Sequence, residues 1–200
     1  MVALGLLPSL WLLLEIAFVM LPLLQALFSK SDDISSILTF AYVSLFFLSL
    51  PLSMMQFAYC EELFGTLSGP LLLVMVFATL WANDVFAYLT GKLMGKHKLY
   101  PRVSPGKTIE GCLGGLLFSV IAVAIFSHYL EVLTLGVAIG FAMIVVVFGT
   151  LGDLSESMLK RHAGVKDSGK LIPGHGGILD RFDSVLFATP FLFLYLMLFV

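Results

Sequence analysis

The 200-residue chain is 60% hydrophobic and 12% charged, with a formal net charge of −2 and a mean hydropathy of +1.04. Soluble domains carry about twice that charged fraction, and a domain of this size has too much surface to hide so many apolar side chains. An ordinary water-soluble fold is therefore excluded. The two cysteines, Cys60 and Cys112, lie in or beside apolar runs, which argues against a disulfide or a cysteine metal site.

Six apolar runs approach the roughly 20 residues that a bilayer-spanning helix needs. We therefore predict an all-α polytopic membrane protein with about six transmembrane helices. The first run is expected to be a span rather than a signal peptide, because no basic segment precedes it. In chain order the predicted spans are Val2–Phe28, Ile37–Tyr59, Pro70–Thr90, Cys112–Leu130, Leu133–Leu151 and Val185–Val200.

The basic residues predict the orientation of these spans. Ten of the eleven Lys and Arg residues lie between Lys92 and Arg181, in the two polar segments 91–111 and 160–183. Two predicted spans separate these segments, so both should lie on the same side of the membrane. Short loops rich in Lys and Arg face the cytoplasm. Any site formed by the two segments is therefore expected at the cytoplasmic interface.

Asp84 is an unusual residue for its position, inside the third apolar run. A carboxylate within a transmembrane segment costs about 2.5–3.5 kcal/mol on insertion scales, so such residues usually have a function. Tyr88, four residues later, is expected on the same helical face. The alternative is an interfacial carboxylate that reaches water or pairs with Lys92.

A second polar stripe follows the fifth run. If that helix continues past Gly152, then Asp153, Glu156, Ser157 and Lys160 lie on one face. Hard cations such as Mg²⁺ prefer carboxylate oxygens together with substrate phosphates. The alternative is a solvated helix end with an ordinary Glu156–Lys160 pair.

Segment 160–183 mixes cations, glycines and carboxylates. Lys and Arg bind phosphate, glycine-rich loops can point N–H groups at anions, and a metal lets cations and carboxylates coexist, so this segment predicts a metal–polyphosphate site. Either Asp180 or Asp183 could instead cap the last helix. His175 could be a ligand, a phosphate donor or a loop-packing residue. Segment 91–111 is expected to contact a phosphate or headgroup, or to anchor the chain on anionic lipid.

The stretch Ser157–Ser184, "SMLKRHAGVKDSGKLIPGHGGILDRFDS", closely resembles the signature of the phosphatidate cytidylyltransferase (CDP-diacylglycerol synthase) family. The upstream "NDVFAYLTGKLMGKHKLYPRVSPGKTIEG" and "GDLSES" are also similar to this family, and the resemblance covers roughly Leu80 to Pro190. Bacterial members usually have more hydrophobic sequence before this core, so fewer N-terminal spans are expected here. Residues 1–69 would then supply N-terminal helices, and residues 70–200 a catalytic core within one membrane domain.

The resemblance implies that CTP and phosphatidic acid give CDP-diacylglycerol and pyrophosphate, with Mg²⁺ as cofactor. A second, monovalent cation and a homodimer are left open. Membrane lipids are the expected surroundings, no nucleic-acid partner is expected, and the expected location is a bacterial-type cytoplasmic (inner) membrane with the site facing the cytoplasm.

The resemblance also implies a set of site residues. Three carboxylates are expected to bind the metal, seven residues, including two of these carboxylates, to act in catalysis, and eight residues to hold the substrates. The metal ligands are Asp153, Asp180 and Asp183; the catalytic residues are Asp153, Lys160, Arg161, Lys166, Asp167, Asp180 and Arg181; the substrate-binding residues are Asp84, Ser104, Lys107, Thr108, Lys170, His175, Gly176 and Gly177.

Three other functions remain as alternatives. A CDP-alcohol phosphatidyltransferase would carry a longer series of spaced aspartates. Asp180-Arg-Phe-Asp183 is not followed by that spacing. A CTP-dependent polyprenol kinase would also need a nucleotide site at the membrane edge. A cation or nucleotide transporter is favoured by Asp84, but the other polar residues cluster in the predicted loops instead of lining a path across the bilayer.

Overall fold

The structure is a computed structural model that describes residues 20, 21, 24, 34–60, 64, 67–169 and 177–200. The described part is mostly helical, with one two-stranded hairpin. In chain order the elements are α1 (Ile34–Ser44), a π-helical turn (Leu45–Ser49), α2 (Leu50–Cys60), α3 (Gly69–Met94), β1 (Lys98–Tyr100), β2 (Ser104–Thr108), α4 (Ile109–Leu130), α5 (Leu135–His162) and α6 (Leu179–Phe199).

Within the described residues, five helical stretches are long and apolar enough to cross a membrane. They are Ala41–Tyr59, which runs through the π-helical turn into α2, and the four helices α3 to α6. These five confirm the predicted membrane class and correspond to five of the six predicted spans. The sixth, Val2–Phe28, lies outside the described residues apart from positions 20, 21 and 24.

The all-α prediction is wrong between α3 and α4, where β1 and β2 form an antiparallel hairpin. Lys98 pairs with Thr108 and Tyr100 pairs with Ser104. Proline argues against a strand in a sequence pattern, and this hairpin has prolines in its turn and in β2. An isolated two-stranded ribbon tolerates them because each of its strands is an edge strand. The carboxylate of Glu110 anchors the hairpin to α4, since it accepts hydrogen bonds from the backbone N–H groups of Lys96 (3.1 Å) and His97 (3.2 Å).

Helix α5 continues to His162, well beyond the predicted end of its span at Leu151. The predicted polar stripe needs this continuation, because its residues follow Gly152. It ends in a glycine motif in which Gly164 has a φ of +70°. The N–H of Gly164 donates to the carbonyl of Arg161 at 3.1 Å, and that of Val165 to the carbonyl of Lys160 at 2.9 Å. These bonds satisfy the last carbonyls of the helix.

Helices α5 and α6 pack closely because small residues line their contact. The buried positions of α5 recur every three or four residues, which makes one continuous stripe. Toward the C-terminal end of α5 the stripe passes through Gly149 and Gly152 and finishes at Glu156. The buried stripe therefore leads from the apolar core to a buried carboxylate at the polar end of the bundle. The buried residues of the stripe are Ala138, Phe141, Ala142, Val145, Val146, Gly149, Gly152 and Glu156.

Gly152 is expected to be sensitive to the addition of a single methyl group. A Cβ there would lie 2.6 Å from the Cβ of Phe187 and 2.7 Å from the carbonyl oxygen of Asp183, both close to the backbone of α6. Gly152→Ala should therefore force the helices apart and destabilise the protein by about 1–3 kcal/mol. The measurement is the midpoint of thermal unfolding in detergent.

Gly136→Ala is the matched control on the same helix, because a Cβ at Gly136 meets no atom of the described residues within 4 Å. It should leave the midpoint unchanged or raise it slightly, since alanine favours helix over glycine. Equal midpoints for the two variants would show that the close α5–α6 contact does not limit stability.

Candidate functional site

Three carboxylates meet at the end of the α5–α6 contact. Asp153 and Glu156 are one helical turn apart on α5, and the absence of a side chain at Gly152 lets α6 bring Asp183 beside them. One oxygen from each lies within 4.8 Å of the other two. Glu156 is only 1% exposed and Asp183 only 6%. Buried carboxylates this close to each other are stabilised either by a nearby cation or by a proton shared between them.

The carboxylate cluster, defined as Asp153, Glu156 and Asp183, keeps oxygen lone pairs available. Oε1 of Glu156 has no hydrogen-bond partner among the described residues. Asp183 Oδ1 accepts from the backbone N–H of Ser184 at 2.6 Å, and Asp153 Oδ1 accepts from the Ser157 hydroxyl at 3.3 Å. An oxygen-only donor set containing an orphaned buried oxygen fits a hard divalent cation such as Mg²⁺.

Lys160 joins this cluster to Asp180. Its ammonium donates to Glu156 Oε2 and to Asp180 Oδ1, each at 2.6 Å. The Glu156–Lys160 pair expected of an ordinary helix end is present, but here it is half of a bridge between α5 and α6. The bridge leaves Lys160 largely buried at the junction of the two helices.

Asp180 is the anchor for the connection between α5 and α6. Its Oδ2 accepts from the backbone N–H and the hydroxyl of Ser168, both at 2.9 Å, and from the N–H of Gly177 at 2.7 Å. Gly177 is packed against Ser168 so closely that a Cβ would collide with its hydroxyl. The structure thus gives Asp180 and Gly177 roles in loop closure. Metal binding by Asp180 and substrate binding by Gly177 stay predictions.

The hairpin brings the first basic segment to the same end of the bundle. Lys107, on β2, forms an ion pair with Asp153. Thr108 is buried and caps α4, where its hydroxyl accepts from the N–H of Gly111 at 3.1 Å. Ser104 is half-buried opposite Tyr100 in the hairpin. Lys107 of the first basic segment therefore lies beside a carboxylate of α5, the helix that leads into the second basic segment.

A cavity of about 420 Å³ opens between α3, α4 and the hairpin. Asp84 lies on its wall together with Lys107, so the intramembrane aspartate and the carboxylate cluster flank the same lysine. The lining residues are Asn83, Asp84, Ala87, Tyr88, Gly91, Lys92, Gly95, Lys98, Gly106, Lys107, Thr108, Gly111, Cys112 and Thr150.

The remaining predicted site residues fall into two groups. Four are exposed around the α5–α6 connection: Arg161, Lys166, Asp167 and Arg181. Three lie outside the described residues: Lys170, His175 and Gly176. Their predicted roles stay predictions.

The predicted metal ligands do not include Glu156, although the structure places it in the carboxylate cluster. The signal was available, because Glu156 lies three residues after Asp153 on the polar stripe of α5. The alternative of an ordinary Glu156–Lys160 pair uses only one of the two oxygens of Glu156. The predicted site also lacks Lys92 and Lys98, since nothing in the sequence distinguishes them from other lysines of the segment.

Comparison with known proteins gives a consistent picture. A family model described as "Cytidylyltransferase family" matches residues 2–199. The chain is 50% identical over 121 residues to the phosphatidate cytidylyltransferase of Staphylococcus aureus strain COL. This alignment covers 60% of this chain and 46% of that protein. The chain is also 37% identical over 201 residues to the phosphatidate cytidylyltransferase of Staphylococcus haemolyticus strain JCSC1435. That alignment covers 92% of this chain and 77% of that protein. In the S. aureus comparison the chain thus spans about half the length of the relative.

Proposed function

The chain belongs to the cytidylyltransferase family, and from that premise we propose that it transfers the cytidylyl group of CTP to phosphatidate, giving CDP-diacylglycerol and pyrophosphate. The carboxylate cluster carries this proposal, because it lies beside lysines, a residue type that binds phosphate, at one end of a bundle of candidate membrane-spanning helices. Relatives named phosphatidate cytidylyltransferase support the choice of substrates.

Mg²⁺ is the proposed cofactor, held by Asp153, Glu156 and Asp183. The orphaned Oε1 of Glu156 and the mutual closeness of the three carboxylates support this assignment. When bound, the ion would neutralise charge on the triphosphate and on the departing pyrophosphate. Asp180 supports the site indirectly, because it orients Lys160 toward Glu156.

In the proposed reaction, an oxygen of the phosphatidate phosphate attacks the α-phosphorus of CTP. The new P–O bond forms as the bond between the α-phosphorus and the bridging oxygen to the β-phosphate breaks, and pyrophosphate leaves. The attacking phosphate is already anionic at neutral pH, so neither a general base nor a covalent enzyme intermediate is needed. The protein contributes position and charge, with Lys107 paired to Asp153 and Lys160 paired to Glu156.

The proposed location is the cytoplasmic membrane with the site on the cytoplasmic side. The ion pair of Lys107 with Asp153, on the helix that leads into the second basic segment, supports this orientation, since loops rich in Lys and Arg stay in the cytoplasm. Soluble CTP would reach the site from the water, while phosphatidate would arrive by diffusion in the bilayer.

The test uses purified protein in detergent with dioleoyl phosphatidic acid and CTP labelled at either the α- or the γ-phosphate, with and without Mg²⁺. We expect Mg²⁺-dependent transfer of the α-label into the chloroform phase and none of the γ-label. Lipid-borne γ-label would instead identify a CTP-dependent kinase. The absence of both labels from lipid would overturn the proposal for this chain.

A further inference from the structure

The cavity between α3, α4 and the hairpin has an excess of positive charge in its lining. Its lining includes three ammonium groups, those of Lys92, Lys98 and Lys107, against one carboxylate, that of Asp84. Lys107 is already paired with Asp153. Within the part of the chain that the structure describes, no carboxylate forms an ion pair with Lys92 or Lys98. A concave site with unpaired ammonium groups attracts anions.

Small residues leave this cavity room for a headgroup. Four glycines belong to its lining, and its volume of about 420 Å³ lies within the usual range for small-molecule sites. The glycines come from three different elements, since Gly91 is on α3, Gly106 on β2 and Gly111 on α4. A phosphate with its attached glycerol fits a space of this size.

The α3 wall of the cavity faces the surroundings of the bundle. Tyr88 is 66% exposed, and the ammonium of Lys92 lies 5.9 Å from the centroid of its ring. Val85, Leu89 and Leu93 on the same helix are exposed as well. All five residues belong to a candidate membrane span. Tyrosine and lysine near the end of such a span mark the membrane–water interface, where lipid phosphates lie.

We propose that this cavity is the subsite for the phosphate of the anionic lipid and that Lys92 and Lys98 determine its selectivity. The inference rests on the proposed function, because both substrates of that reaction carry phosphate and the cavity must be assigned to one of them. The membrane-facing wall favours the lipid. Lys107 lines the cavity and contacts Asp153, so a lipid phosphate held here lies beside the carboxylate cluster, where the nucleotide triphosphate binds.

The kinetic test is the double variant Lys92→Gln, Lys98→Gln in phosphatidylcholine–detergent mixed micelles. We expect its KM for dioleoyl phosphatidic acid to rise about tenfold, as the loss of charge-assisted contacts to phosphate predicts, while its KM for CTP stays within about twofold. Lys96→Gln is the matched control, since Lys96 is exposed on the same segment but does not line the cavity. It should leave both constants unchanged.

Direct binding separates this inference from the proposed function. Wild-type protein and the double variant are titrated with dioleoyl phosphatidic acid without CTP, with dioleoyl phosphatidylcholine as the neutral lipid, and separately with CTP. We expect the double variant to lose affinity for phosphatidic acid only. Weaker CTP binding with unchanged phosphatidic acid binding would assign the cavity to the nucleotide and overturn the inference. Lysine-dependent phosphatidic acid binding without any cytidylyl transfer would overturn the function and support the subsite.

Discussion

Asp153→Asn is expected to lower cytidylyl transfer by roughly a hundredfold to a thousandfold, the scale seen when one preorganised electrostatic contact to a transition state is removed. Asp153 is the member of the carboxylate cluster that faces the hairpin, where it pairs with Lys107. Asparagine keeps the size of the side chain and can still accept the hydrogen bond from Ser157. The change therefore removes negative charge from the cluster without opening a cavity. Initial rates with α-labelled CTP measure the effect.

Glu131→Gln is the matched control for loss of a carboxylate. Glu131 follows the C-terminal end of α4, whereas the hairpin and the carboxylate cluster lie near the N-terminal end of that helix. Glutamate and glutamine at position 131 would adopt the same left-handed backbone conformation, with a φ of 53°, so the substitution does not change the backbone strain. The control should retain the wild-type rate. A near-normal rate for Asp153→Asn would remove Asp153 from the catalytic apparatus.

Lys160→Met is expected to destabilise the protein as well as inactivate it. The lysine ammonium is the shared partner of Glu156 and Asp180, and all three side chains are largely buried. Removing one member of a buried ionic group leaves the others without compensation, at a cost of about 3–5 kcal/mol. We expect a clearly lower thermal unfolding midpoint in detergent, together with loss of transfer activity.

Lys96→Met provides the comparison for removing an exposed lysine. The side chain of Lys96 is at the surface, so its loss should change stability by less than about 0.5 kcal/mol. Equal unfolding midpoints for Lys160→Met and the control would contradict the structural role of the bridge between α5 and α6.

The membrane architecture was accessible from the sequence because bilayer-spanning helices need long apolar runs, and those runs are visible directly. The polar stripe of α5 was also predictable, since helical spacing places Asp153, Glu156 and Lys160 on one face. What the sequence did not show was which partner each carboxylate takes. In the structure the oxygens of Asp180 accept hydrogen bonds from Lys160, Ser168 and Gly177, and its metal binding stays a prediction.

The hairpin and the cavity depended on tertiary contacts that have no periodic signature. Lys98 pairs with Thr108 across a turn that contains proline. The placement of Lys107 beside Asp153 depends on how α4 packs against α5. The approach of Asp183 to the other two carboxylates depends on Gly152, whose role appears only when α6 is placed against it. Sequence patterns find the residues that can carry out the chemistry, and helix packing determines which of them meet.

The most direct test of the carboxylate cluster is the binding of Mn²⁺, used as a spectroscopic replacement for Mg²⁺. Electron paramagnetic resonance measures Mn²⁺ binding in detergent to wild-type protein, Asp153→Asn and Glu131→Gln, without any turnover. Wild-type protein and Glu131→Gln should bind the ion with equal affinity, and Asp153→Asn should bind it at least about tenfold more weakly, because ligating carboxylates set affinity for hard cations. Equal affinity in all three proteins would contradict a metal site formed by Asp153, Glu156 and Asp183.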